Sequence, residues 1–192
     1  MSPTSRVLSR RAPLRVSALA AMCAALVVAA PARANPDRYG LGNGHNGAFT
    51  AASANQIINT YSAVTAAATS GSRMVSVASA TGIAAGDLVL VWQVQGGPYA
   101  SGAAGPFPLG GDAPGGYDLV RVASVSGTTL NLAAPLTENY AAAGAQVVRV
   151  PEYTTVSVPT GTSLTAPAWN GTTGGVVIFL ATGAVSLVGA IH

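Results

Sequence analysis

The sequence predicts an all-β exported protein: a small β-barrel or sandwich module followed by the start of a β-solenoid, behind a cleaved N-terminal signal helix. Three observations carry this. Short runs of alternating apolar residues recur along the chain, separated by glycine-containing corners. All 23 glycines lie after residue 34, among many Val, Thr, Ser and Ala residues and few charges. The first 34 residues have the layout of an export signal.

In Met1–Ala34, Arg6, Arg10, Arg11 and Arg15 form a basic leading segment. Val16–Ala30 is an apolar run too short for a permanent membrane span. Pro31 breaks it, and Ala32-Arg33-Ala34 offers small residues for cleavage. Ser9-Arg10-Arg11 has twin-arginine character, but Pro13 stands where an aromatic is usual, so the general secretory route is favoured. The lone cysteine, Cys23, falls inside this leader, which leaves Asn35–His192 with no thiol for a disulfide or a nucleophile.

Cleavage also changes the charge. The chain's formal +3 comes from nine arginines, no lysine and six acids. Beyond Ala34 only Arg38, Arg73, Arg121 and Arg149 remain against those six acids, a balance of −2. Nucleic-acid binding needs clustered basic residues, so no nucleic-acid partner is expected. The exported chain is expected outside the cytoplasm, extracellular or at the cell surface, with no permanent transmembrane helix.

Residues 35–72 open glycine-rich (Tyr39 to Phe49) and continue through Ala51–Ala68. There Ile57, Ile58, Tyr61 and Val64 have helical spacing, while Thr60, Thr65 and the absence of charged helix formers favour an extended path, so strand and loop are expected. Residues 73–152 form the barrel module. Its strands are Met74–Ala78, the Leu88/Leu90/Trp92/Val94 face with Gln93 and Gln95 opposite, Val120/Val122, Leu130/Leu132 and Val148/Val150. Thr81-Gly82, Gly86-Asp87 and Ser126-Gly127 mark corners. Residues 96–116 interrupt the module with eight glycines and four prolines in 21 residues, a loop and not a strand. Residues 153–192 carry shorter strands at Val156/Val158, Val176–Leu180 and Val185/Leu187/Ile191, the rhythm of stacked coils. So few coils cannot bury a solenoid core alone. The pattern is still running at His192, and the expectation is an N-terminal piece of a longer protein.

Three blocks bear a resemblance: Gly42-Asn-Gly-His-Asn-Gly-Ala48; Ala85-Gly86-Asp87-Leu-Val-Leu-Val-Trp-Gln93 with Val122–Leu132 and Ala134-Pro135-Leu136; and Val150-Pro-Glu-Tyr-Thr-Thr155 with Ala168-Trp-Asn-Gly-Thr-Thr-Gly-Gly175. Together they resemble the N-terminal regions of large secreted or surface proteins of Gram-negative bacteria. In those look-alikes the third block leads into a glycine-rich β-solenoid of adhesin type. The first block departs from the pattern, with His45-Asn46 where Arg-Asp would be expected. The resemblance implies architecture and location and transfers no catalytic residue.

The chemical motifs are sparse. Gly42-x-Gly44-x-x-Gly47 matches a dinucleotide fingerprint literally, but no strand precedes it and no helix follows. His45 and His192 lack the company a zinc site needs. Asp87, Asp112, Asp118, Glu138 and Glu152 are the carboxylates from which a glycosidase pair would be drawn, and each has a structural reading. No catalytic residue, metal ligand or cofactor is expected. The candidate ligand contacts are Tyr99, Phe107, Asp112 and Trp169, a set suited to a sugar or to another cell-surface protein. The expected function is a non-enzymatic structural or adhesion role. A carbohydrate-active enzyme on a solenoid and a sugar-binding module are the alternatives. Paired acids on successive coils would mark the enzyme, and glycan binding through Tyr99, Phe107 and Trp169 the module.

Overall fold

In the computed structural model, residues 40–96 and 114–192 are described. The segment expected to be an export signal, Tyr99, Phe107 and Asp112 lie outside them. Among the described residues thirteen strands follow one another. The first is β1 (Ala48–Thr50). Six strands come next: β2 (Tyr61–Ala63), β3 (Met74–Ser76), β4 (Leu88–Gln93), β5 (Tyr117–Ser126), β6 (Thr129–Leu132) and β7 (Ala145–Val150). Short strands end the chain: β8 (Glu152–Tyr153), β9 (Thr155–Val158), β10 (Ser163–Leu164), β11 (Leu180–Ala181), β12 (Val185–Leu187) and β13 (Ala190–Ile191). No helix of the described residues is long and apolar enough to cross a membrane.

The six strands β2 to β7 form one antiparallel sheet in the order β2-β7-β4-β5-β6-β3. A Val64–Val77 bridge joins its two edges, with Thr65 N–H donating to Ser76 O and Ala78 N–H to Ala63 O, both at 2.9 Å. The edges therefore pair with each other and the sheet closes into a barrel. Inside lie Val75, Val89, Val91, Val120, Val122, Leu130, Leu132 and Val147. The Ser126–Thr129 hairpin turns on Gly127, where the sequence placed a corner.

The terminal strands pair in parallel. β1, β9 and β12 form one ladder, with Phe49 on Val156 and Val156 on Val185. Gln56, Leu164 and Ile191 form a second, and β8 with β11 a third. Thr182 lies one coil above Thr154, 28 positions on. These are solenoid coils, and their stack begins earlier than the alternation indicated. Residues 42–56 form the first coil, and the barrel is inserted between it and the second. The glycine-rich segment and the terminal strands, read separately from sequence, share one core of Ala51, Tyr153, Val156, Val158 and Leu164. Phe49, Tyr153 and Phe179 stack through it, with ring centroids 4.9 and 6.3 Å apart and tilted planes.

Barrel and coils are fused by a third core. Leu88, Leu90, Val148 and Val150 on the outer face of β4 and β7 pack with Val176, Ile178 and Leu180. Full burial of each of the four barrel side chains contributes about 1.5–3 kcal/mol, so the seam is a substantial part of the fold. The run Val176–Leu180 is continuously apolar because alternate residues serve two cores. Val177 and Phe179 turn to the coil interior, while Val176, Ile178 and Leu180 turn to the barrel.

Candidate functional site

Side chains clamp the 174–178 backbone where no strand pairs with it. Gln146 Nε2 donates to Gly174 O and its Oε1 accepts from Gly174 N–H, both at 2.9 Å. The Tyr61 hydroxyl donates to Val176 O at 2.6 Å. Asn59 Nδ2 donates to Ile178 O at 2.6 Å and Oδ1 accepts from Ile178 N–H at 3.2 Å. Every second residue is thus held from the barrel side.

Burial pushes the Tyr61 hydroxyl up to about 12. Its folded value lies above the unfolded one of about 10. The group's contribution is therefore full below about pH 10 and is lost as pH rises through about 12. Urea midpoints are expected to fall less steeply from pH 9 to 12 in Tyr61→Phe than in the wild type. Equal slopes would show that this hydroxyl does not hold the coil.

A second node joins the first coil, the barrel and the second coil. Glu152 is fully buried. Arg121 meets it with Nη1 at 2.7 Å from Oε2 and Nη2 at 3.0 Å from Oε1, a bidentate pair. Asn43 N–H donates to Oε1 at 3.0 Å, and Glu152 N–H donates to Asn46 Oδ1 at 2.7 Å. The glycine-rich loop therefore cradles a carboxylate of its own chain, and a strand, β1, follows it. Gly42, at φ +81°, leaves no room for a side chain, since a Cβ there would lie 2.9 Å from Leu180 Cβ. Arg149 Nη2 lies 2.9 Å from Asp87 Oδ1. Burial raises the Asp87 carboxyl, but the Arg149 bond, the Ala84 N–H and the charges of Arg149 and His45 outweigh it and hold it below its ordinary value. His45 sits between the two pairs, 3.6 Å from Asp87 Oδ1 and 3.4 Å from Glu152 Oε2. With both carboxylates matched by arginines, the node is an internal staple. No group of three or more His, Cys, Asp or Glu among the described residues suits a metal ion.

Asp118 anchors the loop after β6. It accepts from Thr137 N–H and Oγ1, Glu138 N–H and the Tyr140 hydroxyl, the last at 2.8 Å. Burial and the bond to Asp118 push the Tyr140 hydroxyl well above its ordinary value.

The candidate ligand surface lies on the seam. Trp92 and Tyr117 are direct cross-strand partners on β4 and β5. With Leu90 and Val176 they line an apolar groove of about 220 Å³. Tyr117 is exposed and Trp92 half-buried. Tyr117 also borders a second hollow of about 410 Å³, lined by Asp118, Pro135 and Thr137 among others. Neither Trp92 nor Tyr117 is among the ligand contacts expected from sequence, which places Trp92 on the apolar face of its strand. The unbroken run Leu88–Trp92 was the available signal, since a strand apolar on both faces has a second partner outside the barrel. Trp169 is half-buried in a turn closed by Gly175 N–H donating to Pro167 O at 2.8 Å. Asn170 Oδ1 braces that turn by accepting from Thr172 N–H and Thr173 N–H, both at 2.9 Å.

No family model and no curated protein matches the sequence. Among solved structures, the chain is similar to the tailspike of Acinetobacter baumannii bacteriophage AP22, determined in complex with A. baumannii capsular saccharide, at 18% identity and a TM-score of 0.39 over 74% of this chain and 21% of that one. It is also similar to the tailspike of Pseudomonas phage phi297, at 16% identity and a TM-score of 0.36 over 78% and 22%. A third likeness is to the tailspike of Pseudomonas phage LKA1, at 14% identity and a TM-score of 0.35 over 62% and 24%. The chain spans between a fifth and a quarter of the length of these structures.

Proposed function

We propose that this chain is a non-enzymatic structural part of an exported cell-surface protein, the foundation of a β-solenoid that serves adhesion or matrix contact. The observation that supports this reading is the insertion of a closed barrel between two parallel-stacked coils, fused to them by an apolar seam and by Asn59, Tyr61 and Gln146. The ionisable side chains Asp87, Arg121, Arg149 and Glu152 are spent on internal pairing, which suits a scaffold.

The Trp92–Tyr117 groove favours a second reading, a glycan-binding module. Exposed aromatic faces beside apolar side chains accept the C–H faces of sugar rings, and capsular saccharide is the class of ligand to offer. One assay separates the two readings. Deleting the gene should lower cell attachment, and the wild-type gene should restore it. On the scaffold reading, a Trp92→Ala/Tyr117→Ala double variant restores it equally. On the glycan reading, that variant fails both to attach and to bind capsular saccharide. Attachment unchanged by the deletion would count against both.

A further inference from the structure

The second hollow beside Tyr117 has its cause in the strand pairing. Along a strand, backbone N–H and C=O groups turn alternately to the two neighbours. Gly116 O and Val122 N–H are bonded to β4 through Gln93 N–H and Asp87 O, so Leu119 turns its N–H and C=O the other way, as Arg121 O does toward Ala133 N–H. The register that sets Val122 against Leu132 and Arg121 against Ala133 brings Pro135 opposite Leu119. Proline has no N–H to offer. The chain leaves the sheet there, with Leu136 N–H donating to Ser72 O and Thr137 N–H to Asp118 Oδ2. Among the described residues Leu119 N–H and C=O have no hydrogen-bond partner. Leu119 lines the hollow of about 410 Å³, whose walls also include Tyr117, Ala134, Pro135 and Thr137.

Small-molecule sites join apolar walls to a few placed polar groups, at volumes of about 300–1,000 Å³. This hollow has both features. Leu119 supplies one donor and one acceptor, which suits a hydroxyl, since a hydroxyl both donates and accepts. A carboxylate only accepts, and it would meet the Leu119 carbonyl and the neighbouring Asp118 carboxylate. The described wall residues include no arginine, lysine or histidine. Arg73 is bonded to Ala133 O at 2.5 Å and Arg121 to Glu152 at 2.7 Å. The exposed Tyr117 ring borders both this hollow and the Trp92 groove.

We propose that the hollow is a subsite for a neutral sugar residue, its hydroxyls bonded to Leu119 N–H and C=O, and that the saccharide continues across Tyr117 into the Trp92 groove. The inference rests on the glycan-binding reading above and names its ligand, a neutral oligosaccharide of at least two residues. Only Tyr117 and Leu119 turn toward the gap, which leaves an added peptide strand too few ladder bonds to hold it.

The test titrates the isotope-labelled 192-residue chain with cellotetraose, mannotetraose and maltotetraose, with their monosaccharides, and with tetragalacturonate. At least one neutral tetrasaccharide should shift the Trp92 indole and the Leu119 and Thr137 amide resonances together. It should bind about tenfold tighter than its monosaccharide and than tetragalacturonate, the factor for one well-made hydrogen bond. Ala134→Leu, at an exposed position, should weaken that tetrasaccharide about tenfold with the urea midpoint unchanged. If the variant's midpoint falls, the wild-type shifts decide. Shifts at Trp92 without Leu119 overturn this inference and leave the glycan reading standing. So do equal affinities for tetrasaccharide and monosaccharide, a preference for tetragalacturonate, or full affinity in a stably folded Ala134→Leu. Binding of none of these saccharides also overturns it, and the glycan reading is then decided by the capsular saccharide assay alone.

Discussion

Glu152→Ala is expected to lower stability by about 3 kcal/mol, at the lower end of the range for breaking a buried ion pair. The substitution removes a fully buried acceptor and leaves Arg121 with its guanidinium still enclosed. Arg121 keeps its bond to Gly86 O at 2.8 Å and a side-chain exposure of 19%, so water recovers part of the loss. Asn43 N–H also loses its acceptor, at about 1 kcal/mol. The loss should be local in character. The Gly42–Gly47 loop is held to the second coil through Glu152 and Asn46, and its amides should exchange faster while the barrel interior stays protected. Replacing both Arg121 and Glu152 with methionine should recover much of the stability, because the guanidinium is then removed together with its buried carboxylate. Urea midpoints and amide exchange of the three proteins decide it. A single variant within about 0.5 kcal/mol of wild type would show that the pair is not the staple described, since changes of that size are typical of sites without such features.

That staple also marks where sequence stops being legible. The alternating runs at Met74–Ala78, Leu88/Leu90/Trp92/Val94, Val120/Val122, Leu130/Leu132 and Val148/Val150 were legible because each strand keeps alternate side chains on opposite faces of the barrel wall, whatever the distance to its partner along the chain. The first coil did not show itself, since its partners lie far along the chain: Asn43 and Glu152 are 109 positions apart. No periodicity within a window reports such a pairing. The helical spacing of Ile57, Ile58, Tyr61 and Val64 competed with the extended path that the structure takes, with β2 at Tyr61–Ala63, for a related reason. Ile57 is exposed, Ile58 packs on the coil core, Tyr61 on the seam and Val64 inside the barrel. Four residues crossing from coil to barrel meet four environments, so their spacing carries no single face. Trp92 shows the third limit. Its alternation with Leu88 and Leu90 was correct, but that face is the barrel exterior. Gln93, on the other side, enters the barrel end fully buried, with its amide bonded to Ala141 N–H, Ala143 O and Gln95 O. An alternating pattern names two faces without saying which is inside when both are covered. The Trp92–Tyr117 groove followed from that ambiguity and from a strand pairing that the sequence did not spell out.

Gly144→Ala should cost about 3 kcal/mol, combining about 1–2 for a side chain forced into the left-handed region with about 1–3 for overpacking. Gly144 has φ +79°, and a Cβ there would fall on the Gln95 carbonyl oxygen. The two strands cannot simply part, because Val94 N–H and Gln95 N–H both donate to Gly144 O, at 2.8 and 3.2 Å. Gln95 Nε2 reaches Gly171 O at 3.3 Å, so a displaced Gln95 disturbs the turn that carries Trp169 as well as the barrel rim. Gly127→Ala is the matched control. It has φ +59° but open space around it, so only the backbone term of about 1–2 kcal/mol applies. The difference between the two variants isolates close approach from conformation. Trp169 fluorescence, read in a Trp92→Phe background, should change in Gly144→Ala and not in Gly127→Ala. Equal losses in both would mean that Gln95 yields freely, and that the barrel rim and the Trp169 turn are not mechanically joined.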